Sequence, residues 1–144
     1  MQSLSSIEGR LGFDNIMTNS FPNITVLHSL ETYGDEARAQ KIISNTLKNH
    51  SDIVGFYVVS SEARIPIEIL SQNVPAKNII RIAHERTPFT ENALKCGEID
   101  AVIAQNPGHV VRSAIRILRA RCDQREPLAS QENIRIEIFL KENL

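Results

Sequence analysis

Ile53-Val54-Gly55-Phe56-Tyr57-Val58-Val59 is an almost unbroken apolar run, rich in β-branched and aromatic residues. A strand with one wet face alternates apolar and polar residues. A continuous run of this length suits a strand covered on both faces, the environment of a parallel sheet. Such a strand needs neighbours, and four other stretches qualify: Ile24 to Leu27, Asn78 to Ala83, Ile99 to Ala104 and Ile134 to Leu140. Helical periods fall between them. Ile7 to Ser20 puts Ile7, Leu11, Ile16 and Met17 near one face and stops at Phe21-Pro22. Asp35, after Gly34, is a good N-cap for Glu36 to Asn49, which carries Ala39, Ile42, Ile43 and Leu47 at helical spacing. Glu62 to Ser71 reads as a helix in spite of Pro66. Thr87-Pro88 opens Phe89 to Lys95, and Gly97 suits a left-handed C-cap. Pro107 to Arg121 is amphipathic, with Val111, Ala114, Ile115 and Leu118 inward. The resulting order, αβαβαβαβαβ in 144 residues, predicts one α/β domain. The architecture expected is a three-layer αβα sandwich around a mainly parallel sheet, with right-handed crossovers.

Composition removes several function classes. The chain is 42% hydrophobic and 23% charged, which fits a folded domain rather than a disordered one. Sixteen basic against 17 acidic residues leave a net charge of -1, unsuited to a general nucleic-acid or polybasic membrane binder. No apolar run nears the roughly 18 residues of a membrane span. Met1 to Arg10 lacks the basic start and apolar core of a signal peptide. Cys96 and Cys122 are far apart, form no C-x-x-C pair and have no metal-ligand spacing around them. They read as reduced, semi-buried thiols of a cytoplasmic protein, with no metal and no cofactor implied. Tyr33 and Tyr57 read as packing residues. Arg112, Arg116 and Arg119, followed by Arg121 and Arg125, read as a solvated basic stripe.

In sheets of this class ligands sit beyond the carboxyl ends of the strands. The residues there are His28 and Ser29, then Ser60, Ser61 and Glu62, then His84 and Glu85, then Gln105 and Asn106. Carboxylates accept hydroxyl protons, and amides both donate and accept. The set suits a ligand with many hydroxyls, although a polar rim also follows from loops facing water. Catalytic motifs find no support. His84-Glu85 begins like a zinc-protease helix, but Pro88 stands where the second histidine belongs. There is no G-x-S-x-G elbow, P-loop or G-x-G-x-x-G, and no cluster of aspartates after the early strands.

Four stretches carry a family likeness: "GRLGFDNIM", "HSDIVGFYVVS", "IIRIAHERTPFTENALKCGEIDAVIAQNPGHVVRSAIRIL" and "IRIEIFLKENL". Together they resemble the effector-binding core of lactose-repressor (LacI) type transcription regulators, whose fold is shared with periplasmic sugar-binding proteins. The closing Glu142-Asn143 resembles the repressor tail. The resemblance implies a sugar or polyol effector held between two lobes, with allosteric control of operator DNA. Residues 1–144 would form the C-terminal lobe and tail, and operator DNA would be reached only through a helix-turn-helix domain absent from the chain. It further implies a cytoplasmic homodimer with no membrane partner, no cofactor and no enzymatic activity. By motif, Glu85 takes the place of an acidic residue that accepts hydroxyl hydrogen bonds. Gln105 takes that of a polar residue at the lobe crossover, and Ser60 or Ser61 lies near a usual asparagine or aspartate. His84, Asn106 and Arg10 complete the expected ligand-binding set. Two departures stand out: Gly9 occupies the usual arginine position, with Arg10 one step later, and Ser60, Ser61 and Ala63 replace the usual asparagine. The helix from Pro107 would belong with the other lobe, so its apolar face needs a cover, against the same sheet or a second copy. The sugar-binding protein of an ABC transporter is the alternative reading, and a Rossmann-type enzyme the third.

Overall fold

The computed structural model describes residues 4–59, 62–74, 79–127 and 134–144. Two helices lead, α1 (Leu4–Ser20) and α2 (Glu36–Asn49). Then follow β1 (Gly55–Val59), α3 (Arg64–Asn73), β2 (Ile80–His84), α4 (Pro88–Cys96), β3 (Ala101–Gln105), α5 (Pro107–Cys122) and β4 (Ile136–Phe139). The strands form one sheet in the order β1-β2-β3-β4. β1 pairs parallel with β2, and β2 with β3, while β4 runs antiparallel to β3. This is an open, mostly parallel α/β sheet.

Local chemistry sets the helix ends. Asp35 accepts from the Arg38 N–H at 2.8 Å and caps α2. Thr87 and Thr90 cap α4 reciprocally: the Thr90 N–H donates to Thr87 Oγ1, and the Thr87 N–H to Thr90 Oγ1. Pro88 fills the first turn, where its missing N–H costs nothing. Gly97 ends α4 at φ 75°, its N–H bonding to the carbonyls of Ala93 and Leu94. Since nothing crowds the place a Cβ would occupy, Gly97→Ala is expected to cost only its left-handed backbone, about 1 kcal/mol. A thermal melt would show a drop of about 2–4 °C; an unchanged melt would contradict this.

Side chains alternate across the sheet. Val58, Ala83, Val102 and Phe139 face α3 and α4, joining Ala63, Ile67, Ala93, Leu94 and Ile99 in the main core. A second cluster, Ala39, Ile43, Ile69 and Leu70 with Phe56 beside it, seats α2 on α3. On the opposite face α1 lies over β1, where the Phe13 and Tyr57 rings are 5.3 Å apart. Farther along that face Ile80, Ile136 and Ile138 stay exposed.

Several expectations from the sequence are corrected. Ile24 to Leu27 is not a strand. It runs beside α1, its neighbour Glu31 held by the Arg38 and Arg10 guanidinium groups, and strand propensity has no effect without a pairing edge. The last strand is antiparallel because the chain leaves and re-enters the sheet at one edge: the Asn106 N–H donates to the Arg135 carbonyl at 3.1 Å. In α1 the face toward the fold carries Phe13 and leaves Leu11 and Ile16 exposed. In α5 the expected inward stripe is bare: Val111, Ile115 and Leu118 are 57%, 59% and 65% exposed, and Ser113 is the buried position instead. Both cysteines are exposed free thiols rather than semi-buried ones. Tyr33 is exposed, with the Arg38 guanidinium over its ring at 4.9 Å, and does not pack in the core.

Candidate functional site

The parallel pairing fixes where the polar rim falls. Val59 pairs with His84 and His84 with Ile103, so β1, β2 and β3 all end at the same edge. Gln105, two residues past Ile103, points to the same face as His84. Glu85 is the first residue beyond β2. Thus His84, Glu85 and Gln105 come from two adjacent strands onto one edge. They are open to solvent, with the His84 and Glu85 side chains 22% and 42% exposed.

His84 has a polar neighbour at each ring nitrogen. The Tyr57 hydroxyl lies 3.2 Å from Nδ1, and Glu85 Oε1 lies 3.3 Å from Nε2. Tyr57 precedes the His84 register partner by two residues, which makes it a diagonal neighbour on the same face. Burial pushes the Tyr57 phenol above its ordinary value, because the anion would lose water. The Glu85 backbone is fixed as well: buried Thr90 donates from Oγ1 to its carbonyl at 2.9 Å. The start of α4 therefore sets the height at which Glu85 stands.

Asn106 sits beside Gln105, but its amide is engaged at both ends. Oδ1 accepts from the His109 N–H at 2.8 Å as the N-cap of α5, and Nδ2 donates to Glu137 Oε1 at 2.7 Å. Arg10 lies on α1 next to Gly9, whose position abuts Val59 at the end of β1. The Arg10 guanidinium is 3.8 Å from Glu31, and a groove of about 380 Å³ between α1 and residues 26–29 is lined by Arg10, Asp14 and His28. Ser60 and Ser61 lie outside the described residues. Among the described residues no group of three or more His, Cys, Asp or Glu could hold a metal ion. No described helix is long and apolar enough to cross a membrane.

Sequence reasoning missed Tyr57 and Phe13 as members of this edge. Tyr57 sat inside an apolar run and read as packing. Only the β1–β2 register brings it to His84.

Comparison with known proteins places the fold. A family model described as "Periplasmic binding protein domain" matches residues 3–126. Among solved structures, a sugar ABC transporter sugar-binding protein from Bacillus halodurans is similar at TM-score 0.81 and 19% identity, over 99% of this chain and 53% of that one. The arabinose-binding protein AraP from Geobacillus stearothermophilus is similar at TM-score 0.79 and 17% identity, over 99% and 52%. An ABC transporter solute-binding protein from Agrobacterium vitis, bound with alpha-D-tagatopyranose, matches at TM-score 0.79 and 20% identity, over 96% and 46%. The chain therefore spans about half the length of these neighbours, as one lobe does. No curated protein matches it. With the family model covering most of the sequence and the sheet assembled as a single open lobe, the chain belongs to the periplasmic binding protein domain family.

Proposed function

We propose that the chain supplies one side of a cleft for a sugar or polyol and makes or breaks no bond. The observation that carries this reading is the placement of Glu85 and Gln105 at the carboxyl ends of adjacent strands, both open to solvent. A carboxylate and an amide accept and donate without demanding a charged partner, as a neutral polyhydroxyl ligand requires. Solved neighbours described with bound D-allose, D-arabinose and tagatopyranose support the same ligand class. Of the two biological roles, the transporter binding protein is favoured, since most of these neighbours are described as transporter proteins. The lactose-repressor type of role rests on the tail, where Glu142 and Asn143 resemble the regulators. Fractionation of the native host separates the two: a transport role puts the protein outside the cytoplasmic membrane, a regulatory one inside.

Half a cleft binds weakly. Titration with D-arabinose and D-allose, followed by backbone NMR, is expected to give saturable shifts at Tyr57, His84, Glu85 and Gln105 with a millimolar Kd. Glu85→Gln is expected to weaken binding about tenfold, equivalent to about 1.4 kcal/mol. Shifts confined to other parts of the molecule would refute the site.

The same reading includes a homodimer. The bare stripe Val111, Ile115 and Leu118 on α5 is a contiguous apolar face of the kind that soluble chains cover, and a second copy is the cover proposed. Sedimentation is expected to show a concentration-dependent dimer that Leu118→Glu converts to monomer. A wild-type monomer at high concentration would remove the dimer.

A further inference from the structure

We propose that Tyr57 is the positioning residue of this site: through His84 it holds one oxygen of Glu85 and leaves the other to accept a ligand hydroxyl. The inference rests on the sugar-cleft reading and adds to it a mechanism for orienting the carboxylate. The direction of the relay follows from its last member. A carboxylate only accepts, so a hydrogen shared across the 3.3 Å contact between Nε2 and Glu85 Oε1 sits on Nε2. In the neutral ring Nδ1 is then the acceptor, and the Tyr57 hydroxyl 3.2 Å away is its donor. The elevated phenol value keeps that hydroxyl protonated at working pH.

The relay is braced at each step. Phe13 of α1 packs on the Tyr57 ring at 5.3 Å, tilted 49°. The diagonal register sets Tyr57 under His84, and Thr90 fixes the Glu85 carbonyl. The nearby cation, Arg86, is occupied elsewhere, paired with Glu91 and lying over the Phe139 ring at 4.3 Å. Among the described residues, His84 is therefore the only group seen to restrain the Glu85 carboxylate. A residue that orients the group beside a ligand often matters as much as the contacting group.

The test uses the whole chain, labelled with 15N-histidine, at a pH where the rings are neutral. His84→Gln identifies the His84 signals. Two-bond 15N–1H correlations are expected to show His84 as the Nε2–H tautomer. Tyr57→Phe keeps the ring against Phe13 and removes only the hydroxyl. It is expected to give a mixed tautomer and a Kd for D-arabinose raised about five- to tenfold, the size of one lost orienting hydrogen bond. An Nδ1–H tautomer in the wild type overturns the relay, whether or not the variant folds. So does an unchanged tautomer in Tyr57→Phe, or a changed tautomer with unchanged Kd. Absence of any monosaccharide affinity in the wild type defeats the sugar reading, and the wild-type tautomer still decides the relay.

Discussion

Arg81→Ala is expected to lower the stability of the fold by about 3–5 kcal/mol, read as a shifted urea midpoint at unchanged slope. Arg81 is the second residue of β2 and is 2% exposed, so its guanidinium lies inside the molecule. It donates to Ser71 Oγ at 3.1 Å, to the Glu98 carbonyl at 3.2 Å and to the Val74 carbonyl. These contacts tie the C-terminal end of α3 to the turn that leads into β3. Its own N–H donates to Asp100 Oδ2 at 2.8 Å, which brings a carboxylate close to the strand. Removing the side chain takes the donor from these three acceptors and opens a cavity, two costs that add. One term opposes them. Nε is buried and has no partner among the described residues, so its desolvation is recovered on deletion. Arg81→Met, which fills the space of the stem while removing the guanidinium and its hydrogen bonds, is therefore expected to lose less, about 2 kcal/mol. Lysine lacks the planar fork that reaches three acceptors at once and is not expected to rescue. An Arg81→Ala protein as stable as the parent would show that these bonds carry no net weight.

Leu94→Ala is expected to cost about 2–5 kcal/mol. Leu94 is 1% exposed on α4 and is among the largest side chains of a core made mostly of alanine, valine and isoleucine. The main core also lies on one side of the sheet, and the opposite face beyond β1 is half open. A domain with a margin of about 5–15 kcal/mol then loses a large share of it through one residue. The damage should reach the candidate site. α4 carries Thr90, and Thr90 anchors Glu85, so amide exchange at Glu85 and Arg86 is expected to quicken in Leu94→Ala. Denaturation and exchange together check this. Loss of stability with no change at Glu85 would mean that α4 holds its first turn independently of its core contacts.

The parts of the fold that could be read from sequence are those set by short-range chemistry. The runs around Val58, Ala83 and Val102 became strands that pack one face on the main core, although β1 lies at the sheet edge and is not covered on both faces as its unbroken apolar run suggests. Thr87, Pro88 and Gly97 marked the bounds of α4 because capping is a local matter. The polar edge was also legible, since strand ends follow once strands are known. Three things were not. Ile24 to Leu27 has the composition of a strand, but a strand exists only by pairing, and pairing depends on distant residues. The direction of β4 depends on where the chain re-enters the sheet. The Tyr57 contact with His84 depends on register, which no local pattern encodes. The α5 stripe is a different kind of miss: the helix and its periodicity are as read, but among the described residues none covers the face.

The end-to-end contact between Asn106 and Arg135 bears on how this molecule can change over generations. The chain leaves β3 at Asn106 and is back beside it at Arg135, so β3 and β4 pair as the arms of a hairpin do. A connection of this kind is expected to vary in length at little cost so long as Val102 still pairs with Phe139 and Ile103 with Ile138. Replacing it with a tight turn is expected to keep the β3–β4 pairing and to lose the packing that buries Ser113 on α5. Strand pairing and helix are thus separable parts of the lobe, open to change one at a time.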